Sequence, residues 1–306
     1  MSGTVGTLGT LGTVGTVGTI TIREVGPRDG LQSEQPVAVA ERARLIDALA
    51  ETGVHHIEAV SFVSPKAVPA MADPDAVLAA IERRSDITWW ALVPNRRGAE
   101  LAVAAGIDAM TVTISADPAY NEKNVHMTVT DSEAAISSIV DIAGDRPVDA
   151  VISCCFGSPY SGETDPDVVA ALGRRLLDRG VTQLTLADTT GMATPARLRL
   201  LLERCGVDVG LHLHDTRGTA LVTAYEAIRC GVSRFDTSAG GLGGSPFAKG
   251  AGGNLPTEDL VHLLDDEGVA TGIDLGRVLD AVSVLREIVG HDVPGRVATH
   301  GPRTSA

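Results

Sequence analysis

Residues 183–214, QLTLADTTGMATPARLRLLLERCGVDVGLHLH, contain a complete strand, helix and second strand. Two short apolar runs, Gln183–Ala187 and Val209–His214, flank the longer amphipathic stretch Pro195–Cys205. Gly206 follows that stretch, at the position where a left-handed glycine commonly ends a helix. Strands joined through a helix lie parallel, because the connection is long enough to return across the sheet. The segment therefore predicts a parallel sheet covered by helices.

The same unit recurs along the chain until eight strands can be counted. The predicted strands are Ile20–Val25, Val54–Val60, Ile87–Val93, Ala109–Ile114, Ala150–Cys154, Gln183–Ala187, Val209–His214 and Arg234–Ser238. The helix-like segments include Ala38–Thr52, Pro74–Arg84, Ser132–Ala143, Asp165–Arg179, Pro195–Cys205 and Ala220–Cys230. We predict a single closed (β/α)8 TIM barrel of the α/β class. An open doubly wound sheet is disfavoured, because no dinucleotide-type GxGxxG motif follows a strand and no linker divides the chain.

Both ends of the chain differ from this pattern. Residues 3–19 repeat a Gly-Thr-Val or Gly-Thr-Leu unit. We interpret residues 1–19 as a low-complexity, disordered tail, with an added strand as the alternative. Residues 20–300 are predicted to form the barrel domain, and residues 301–306 a flexible C-terminus.

Composition excludes several classes of function. The chain has 306 residues, of which 44% are hydrophobic, and its 25 basic and 39 acidic side chains leave a net charge of −14. This acidic excess opposes binding to nucleic acid. No stretch reaches the roughly 18 apolar residues of a membrane span. Four cysteines without a CxxC pair favour a reduced, cytoplasmic protein.

The ends of the predicted strands carry a candidate metal site, and in such barrels the chemistry lies at the carboxyl ends. Alternation along the seventh strand places His212 and His214 on one face, where they can share an ion. The alternative is a buried, hydrogen-bonded pair. Asp29 and Asn254, after the first and eighth strands, add oxygen ligands. Two nitrogens and two oxygens without a thiolate predict Mg²⁺ or Mn²⁺, with Zn²⁺ as the competitor.

The loop after the eighth strand is rich in glycine. The segment 240–253 has seven glycines in fourteen positions and contains Ser245 and Lys249. We predict a lid that closes over substrate, with a slack connection as the alternative. Glu58 and Asp188, at the ends of the second and sixth strands, are candidates for proton transfer or ligand orientation.

Lysine is rare in this sequence. The chain has three lysines, Lys66, Lys123 and Lys249, and all fall in loops after predicted strands 2, 4 and 8. Cations confined to the active face of an acidic protein predict attraction for the phosphates or the carboxylate of an anionic ligand.

Taken together, these motifs resemble the 3-hydroxy-3-methylglutaryl-CoA lyase family over about Ile20 to Ile288. The resemblance rests on six segments, namely Glu24 to Gln32, Ile57 to Lys66, Ser153 to Gly162, Asp188-Thr189, His212 to Thr216 and Gly240 to Leu260. It implies a metal-dependent carbon–carbon lyase, which splits a branched 3-hydroxy-acyl-CoA into acetyl-CoA and a 3-oxo acid, acetoacetate in the lyase itself. It also implies an acyl-CoA substrate and a homodimer.

The resemblance also assigns roles to residues. The implied metal ligands are Asp29, His212, His214 and Asn254. Arg28 would face the thioester oxygen, where a permanent cation stabilises the developing enolate. Asp188 and His212 would accept the hydroxyl proton, and Glu58 would orient the ligands. Lys66 and Lys249 would contact CoA or another anionic part of the substrate.

One departure stands in the lid, where the family's Gly-Gly-Cys-Pro is replaced by Gly243-Gly244-Ser245-Pro246. A serine hydroxyl is a much weaker acid than a thiol, whose ordinary pKa is about 8.5. A slower lyase, a relative with another 3-hydroxy-acyl-CoA substrate, and a lyase with a different proton donor all stay open. So do a related aldolase or Claisen-condensing barrel and a non-catalytic metal-binding paralogue.

Overall fold

The computed structural model describes residues 19–244 and 252–303, which form a closed barrel of eight parallel strands. The strands are β1 Thr21–Glu24, β2 His56–Ser61, β3 Thr88–Leu92, β4 Ala109–Ser115, β5 Val148–Ser153, β6 Gln183–Asp188, β7 Gly210–Leu213 and β8 Arg234–Thr237. Each strand pairs with its neighbours in the chain, and β1 closes the barrel against β8. The predicted TIM barrel is therefore confirmed.

Helices surround the strands. They are α1 Val39–Ala50, α2 Pro74–Ala80, α3 Arg96–Ala104, α4 Pro118–Val125, α5 Val129–Ala143, α6 Pro166–Asp178, α7 Pro195–Cys205, α8 Ala220–Cys230, α9 Thr257–Asp266, α10 Leu275–Val289 and α11 Arg296–His300. Apolar side chains from the strands and helices join in one large buried cluster. Within the described ranges, none of these helices has the length and apolar character needed to cross a membrane.

Two predicted helix boundaries shift for local reasons. The helix predicted to run from Pro74 to Arg84 ends at Ala80, because Ile81 is extended and the amide of Glu82 donates to the Asp47 carboxylate at 3.0 Å instead of continuing the helix. The helix predicted from Ser132 starts earlier, because the hydroxyl of Thr128 caps it.

The predicted termini lie mostly outside the described residues, which exclude 1–18 and 304–306. The barrel begins at Ile20, whose side chain is buried. The disordered tail over 1–19 and the flexible C-terminus over 301–306 therefore stay predictions.

Two buried carboxyls hold the backbone where β1 and β8 end. Glu24 accepts hydrogen bonds from the amides of Gly26 (2.8 Å) and Ala239 (3.0 Å). Glu258 accepts one from the amide of Gly240 at 3.0 Å. Burial raises the pKa of Glu24 to about 7 and that of Glu258 to about 8. The turn after β1 and the start of the glycine-rich loop are thus joined through buried carboxyls whose pKa values are raised.

The raised pKa of Glu258 predicts a loss of stability as the pH rises. Between an ordinary pKa of about 4.5 in the unfolded chain and about 8 in the folded one, the folded state binds more protons. The free energy of unfolding therefore falls across this window. In Glu258→Gln this contribution is absent, so the free energy of unfolding by urea should fall less between pH 5.5 and 8.5 than it does in the wild type, by roughly 3 kcal/mol. The matched exposed variant Glu122→Gln should follow the wild type, and an identical pH dependence in Glu258→Gln would contradict the assignment.

Candidate active site at the carboxyl ends of the strands

A one-turn π-helix, Gly26–Gly30, follows β1 and presents Arg28 and Asp29 side by side. The amides of Arg28, Asp29 and Gly30 all donate to the carbonyl of Val25, at 3.1, 2.7 and 3.2 Å. A Cβ atom on Gly30 would lie 2.8 Å from the hydroxyl oxygen of Ser238, so the turn packs too closely for another residue. The motif Gly-Pro-Arg-Asp-Gly is therefore explained by a tight turn whose two charged side chains are buried.

Arg28 is held between two carboxylates. Its Nε donates to Glu58 Oε2 and its Nη1 to Asp29 Oδ1, both at 2.5 Å. Burial opposes the charge, but Glu58 and Asp29 outweigh it and raise the pKa of Arg28. The guanidinium is a permanent cation, and its Nη2 makes no hydrogen bond with the described residues. Glu58 is fully buried and contacts Arg28, which places it where it can orient that side chain.

The two histidines at the end of β7 face each other. Their Nε2 atoms are 3.2 Å apart. Nδ1 of His214 lies 2.9 Å from the carbonyl oxygen of Gly252, and Nδ1 of His212 lies 3.1 Å from Oδ2 of Asp236. A carbonyl oxygen and an ionised carboxylate can each accept a hydrogen bond but cannot donate one. Both Nδ1 atoms are therefore the donors.

The ionisation of these groups agrees with that assignment. Burial opposes the charge of Asp236, but Arg23 and His212 hold its pKa well below the usual range. Burial lowers the pKa of His214 to about 4. Burial also disfavours charged His212, but Asp236 and Asp29 outweigh it and raise its pKa. His214 therefore turns a lone pair toward Nε2 of His212, and a shared proton or a cation satisfies both rings.

Asp29 and Asn254 complete the predicted group. Asn254 Nδ2 donates to Asp29 Oδ2 at 2.7 Å and to the Leu242 carbonyl at 3.0 Å. Its Oδ1 is buried and accepts no hydrogen bond within the described part of the chain. Burial would raise the pKa of Asp29, but Arg28, His212 and His214 lower it to about 2.

The resulting donor set fits a divalent cation. One ligand atom from each of Asp29, His212 and His214 lies within 4.8 Å of the others. The orphaned oxygen of Asn254 lacks a protein donor among the described residues, and the Nε2 atoms of His212 and His214 lie 3.2 Å apart, where one cation can contact both. Carboxylate and amide oxygens together with imidazole suit a divalent ion. The structure thus brings together the four predicted ligands.

Asn254 reaches this group because the chain returns along β7. The residues His214 and Asn254 form an antiparallel bridge. The amide of Asp215 donates to the Gly253 carbonyl at 2.8 Å, and that of Leu255 to the Leu213 carbonyl at 2.8 Å. This short ladder fixes Asn254 beside the histidines.

Asp188 at the end of β6 shapes the following loop. Its carboxylate accepts hydrogen bonds from the amides of Met192 (2.6 Å) and Ala193 (2.9 Å). Burial raises the pKa of Asp188 to about 6. The residue that precedes it, Ala187, pairs with His212 across the barrel ladder. Its part in proton transfer stays a prediction.

Two of the three lysines fall in the described part of the chain. Lys66 is exposed, and Lys123 is exposed with its Nζ 4.1 Å from the ring centre of Tyr160. Ser245 and Lys249 lie outside the described residues, as does the middle of the predicted glycine-rich lid.

Sequence reasoning missed a second charged group below the ligands. Arg23, Asp149 and Asp236 are all buried inside the barrel. The sequence does contain a signal for this group, since a charged residue interrupts a short apolar strand in Ile22-Arg23-Glu24 and in Phe235-Asp236-Thr237. A charge in such a position is expected to be buried and paired.

Comparison with known proteins gives consistent results. The model of the HMGL-like family matches residues 19–285. Hydroxymethylglutaryl-CoA lyase YngG of Bacillus subtilis is 39% identical over 286 residues, which cover 90% of this chain and 95% of the relative. A 3-hydroxy-3-isohexenylglutaryl-CoA/hydroxy-methylglutaryl-CoA lyase of Pseudomonas aeruginosa is 38% identical over 287 residues, covering 91% and 96%. The structure of an HMG-CoA lyase from Acinetobacter baumannii with coenzyme A and 3-methylmalate has a TM-score of 0.90 and 38% identity, covering 94% of this chain and 97% of that one.

The position of Asn254 predicts a loss of metal affinity when its side chain is removed. Asn254→Ala eliminates the orphaned oxygen and the hydrogen bond to Asp29. We expect the dissociation constant for Mn²⁺, measured by electron paramagnetic resonance of the free ion, to rise about tenfold or more. Asn124→Ala on α4 is the matched control and should bind as the wild type does. Equal affinities for the two variants would exclude Asn254 as a ligand.

Proposed function

This chain belongs to the HMGL-like family, and we propose that it is a carbon–carbon lyase that cleaves 3-hydroxy-3-methylglutaryl-CoA to acetyl-CoA and acetoacetate. The observation that carries the proposal is the contact between Arg28 and Asp29, which places a permanent cation directly beside the donor set for a divalent ion. Cleavage of this substrate needs both, because one oxygen must lose a proton while another gains negative charge.

The residues present fit Mg²⁺ or Mn²⁺, held by Asp29, His212, His214 and Asn254. Zn²⁺ is the weaker candidate, since the set lacks a thiolate and contains two oxygen donors. When bound, such an ion supplies Lewis acidity that polarises the tertiary hydroxyl and a neighbouring carbonyl or carboxylate oxygen of the substrate.

Arg28 is proposed to stabilise the thioester oxygen. As the carbon–carbon bond breaks, the electron pair moves toward that oxygen and an enolate forms. Nη2 is the one nitrogen of the Arg28 guanidinium that makes no hydrogen bond with the described residues. Because Glu58 and Asp29 hold the other two nitrogens, the cation is already oriented before charge develops, and this is the condition for strong electrostatic stabilisation.

The hydroxyl proton is proposed to pass to Asp188 or His212. A pKa of about 6 leaves Asp188 largely ionised at neutral pH and close to the operating pH, as a general base requires. Each of its oxygens already accepts one backbone amide, and each retains a second lone pair. His212 has its Nδ1 engaged by Asp236 and its Nε2 directed to the ion, so Asp188 is the preferred acceptor of the two.

The remaining properties follow from the family resemblance and the composition. We propose that Lys66 and Lys249 approach the anionic parts of the CoA thioester, that the protein acts as a homodimer, and that it resides in the cytoplasm. The four cysteines are all free thiols in the structure, which is compatible with a reducing compartment.

Substrate breadth is a second question that one relative raises directly. The Pseudomonas aeruginosa lyase is named for an isohexenyl substrate as well as the methyl one. The activity assay therefore offers both 3-hydroxy-3-methylglutaryl-CoA and a longer-chain 3-hydroxy-3-alkylglutaryl-CoA, with Mg²⁺ or Mn²⁺, and measures acetyl-CoA. Release from neither thioester by a protein that binds Mn²⁺ would overturn the lyase assignment.

Loss of the Arg28 cation should lower turnover far more than it lowers substrate binding. In Arg28→Met the enolate oxygen has no cationic donor, so we expect kcat to fall by about 10²–10³. Arg96→Met, an exposed arginine on α3, serves as the control and should leave kcat unchanged. A rise in KM with an unchanged kcat would assign Arg28 to ground-state binding instead.

Restoring the family's lid cysteine tests the proton donor. If Ser245 supplies the proton to the product enolate poorly, Ser245→Cys should raise kcat, because a thiol with an ordinary pKa of about 8.5 is a far better acid than a hydroxyl. Ser245→Ala is the companion variant and should be no faster than the wild type. An unchanged rate in Ser245→Cys would show that another group or solvent delivers the proton.

A further inference from the structure

A second arginine spans the inside of the barrel beneath the ligands. Arg23 lies on β1, and it contacts Asp236 on the adjacent β8 and Asp149 on β5, on the opposite side of the barrel. All three side chains are buried. An arginine costs free energy to bury unless it is paired, so this cluster needs its own explanation.

The guanidinium is fixed from several directions. It forms a bidentate pair with Asp236, a fork in which Nε donates to Oδ1 at 2.8 Å and Nη2 donates to Oδ2 at 2.9 Å. Nη2 also lies 2.8 Å from Asp149 Oδ2, to which the Thr185 hydroxyl donates at 2.7 Å. The Trp90 ring covers the guanidinium, with Cζ 4.8 Å from the ring centre. Arg23 therefore leaves Asp236 little freedom to rotate.

Asp236 connects this cluster to the metal ligands. The same Oδ2 atom that accepts from Arg23 Nη2 also faces Nδ1 of His212 at 3.1 Å. A carboxylate that accepts the Nδ1 proton decides which tautomer the imidazole adopts and how its ring is turned. A chain of direct contacts thus runs from Arg23 through Asp236 to His212.

We propose that Arg23 is a positioning residue for the metal centre, which acts by locking Asp236 so that Nε2 of His212 points at the ion. Lysine cannot replace it, because an ammonium group is a point charge and cannot form the two parallel bonds of the fork. Among the described residues, Arg23 makes no hydrogen bond or ion pair with the four ligands. This inference rests on the metal dependence of the proposed function.

The test measures the metal centre directly and requires no turnover. In Arg23→Lys we expect the Mn²⁺ dissociation constant to rise about tenfold or more, and the visible absorption of the Co²⁺-substituted protein to change in position or intensity. Arg42→Lys is the matched control, since Arg42 is an equally buried arginine on α1 that contacts only the Ala72 carbonyl among its hydrogen-bond partners in the described chain. It should reproduce the wild-type affinity and spectrum.

A double-mutant cycle distinguishes positioning from general stabilisation. If Arg23 acts through Asp236, then Arg23→Lys combined with Asp236→Asn should bind Mn²⁺ no more weakly than Asp236→Asn alone. Additive losses, or a wild-type Co²⁺ spectrum in an Arg23→Lys protein that has only lost thermal stability, would overturn the inference.

A charge-balanced variant guards against misfolding. Arg23→Gln with Asp149→Asn removes one buried positive and one buried negative charge, and it should show the same weakening of Mn²⁺ binding. Wild-type affinity in that variant would overturn the positioning role. Failure of the wild-type protein to bind Mn²⁺ at all would overturn the proposed function and the inference together. If the wild type binds Mn²⁺ and the Arg23 variants bind it with the same affinity, only the inference is overturned.

Discussion

The requirement that buried charges be neutralised organises the interior of this barrel. Two arginines lie there, and each is bracketed by two carboxylates. The upper triad consists of Arg28, Asp29 and Glu58, and the lower one of Arg23, Asp149 and Asp236. Counted as charged groups, these six side chains leave an excess of two negative charges. A divalent cation would supply the opposite charge, so the proposed ion would complete an electrostatic balance in addition to filling a ligand set.

His212 lies between the two triads and links them. Its Nδ1 contacts Asp236 of the lower triad, and its Nε2 is 3.9 Å from Asp29 of the upper one. The strand register makes this possible, since Arg23 pairs with Asp236 and His212 pairs with Asp236 across the β1–β8 and β7–β8 ladders. A slip of one residue in either ladder would turn these side chains out of the barrel.

The sequence allowed the fold to be predicted, and also the grouping of Asp29, His212, His214 and Asn254, because both depend on local patterns. Strand–helix alternation repeats eight times. In His212-Leu213-His214, the spacing of two residues along a strand is enough to place both imidazoles on one face. Arg23 and Asp236 could not be paired in the same way, because they are 213 residues apart, and a position within a short apolar strand indicates burial of a charge but not its partner. The end of α2 was missed for a similar reason, since Asp47 on a different helix captures the amide that would have continued it.

The bridge between His214 and Asn254 has a consequence for how the molecule is made. Asp29 and Asn254 are joined by one hydrogen bond although 225 residues separate them, so the first and last of the proposed ligands meet only after nearly the whole barrel has been synthesised. A nascent chain released before residue 254 holds an incomplete ligand set. Ion binding would consequently stabilise the finished barrel but not its partly synthesised forms. The cation would therefore favour chains in which the last βα unit is complete.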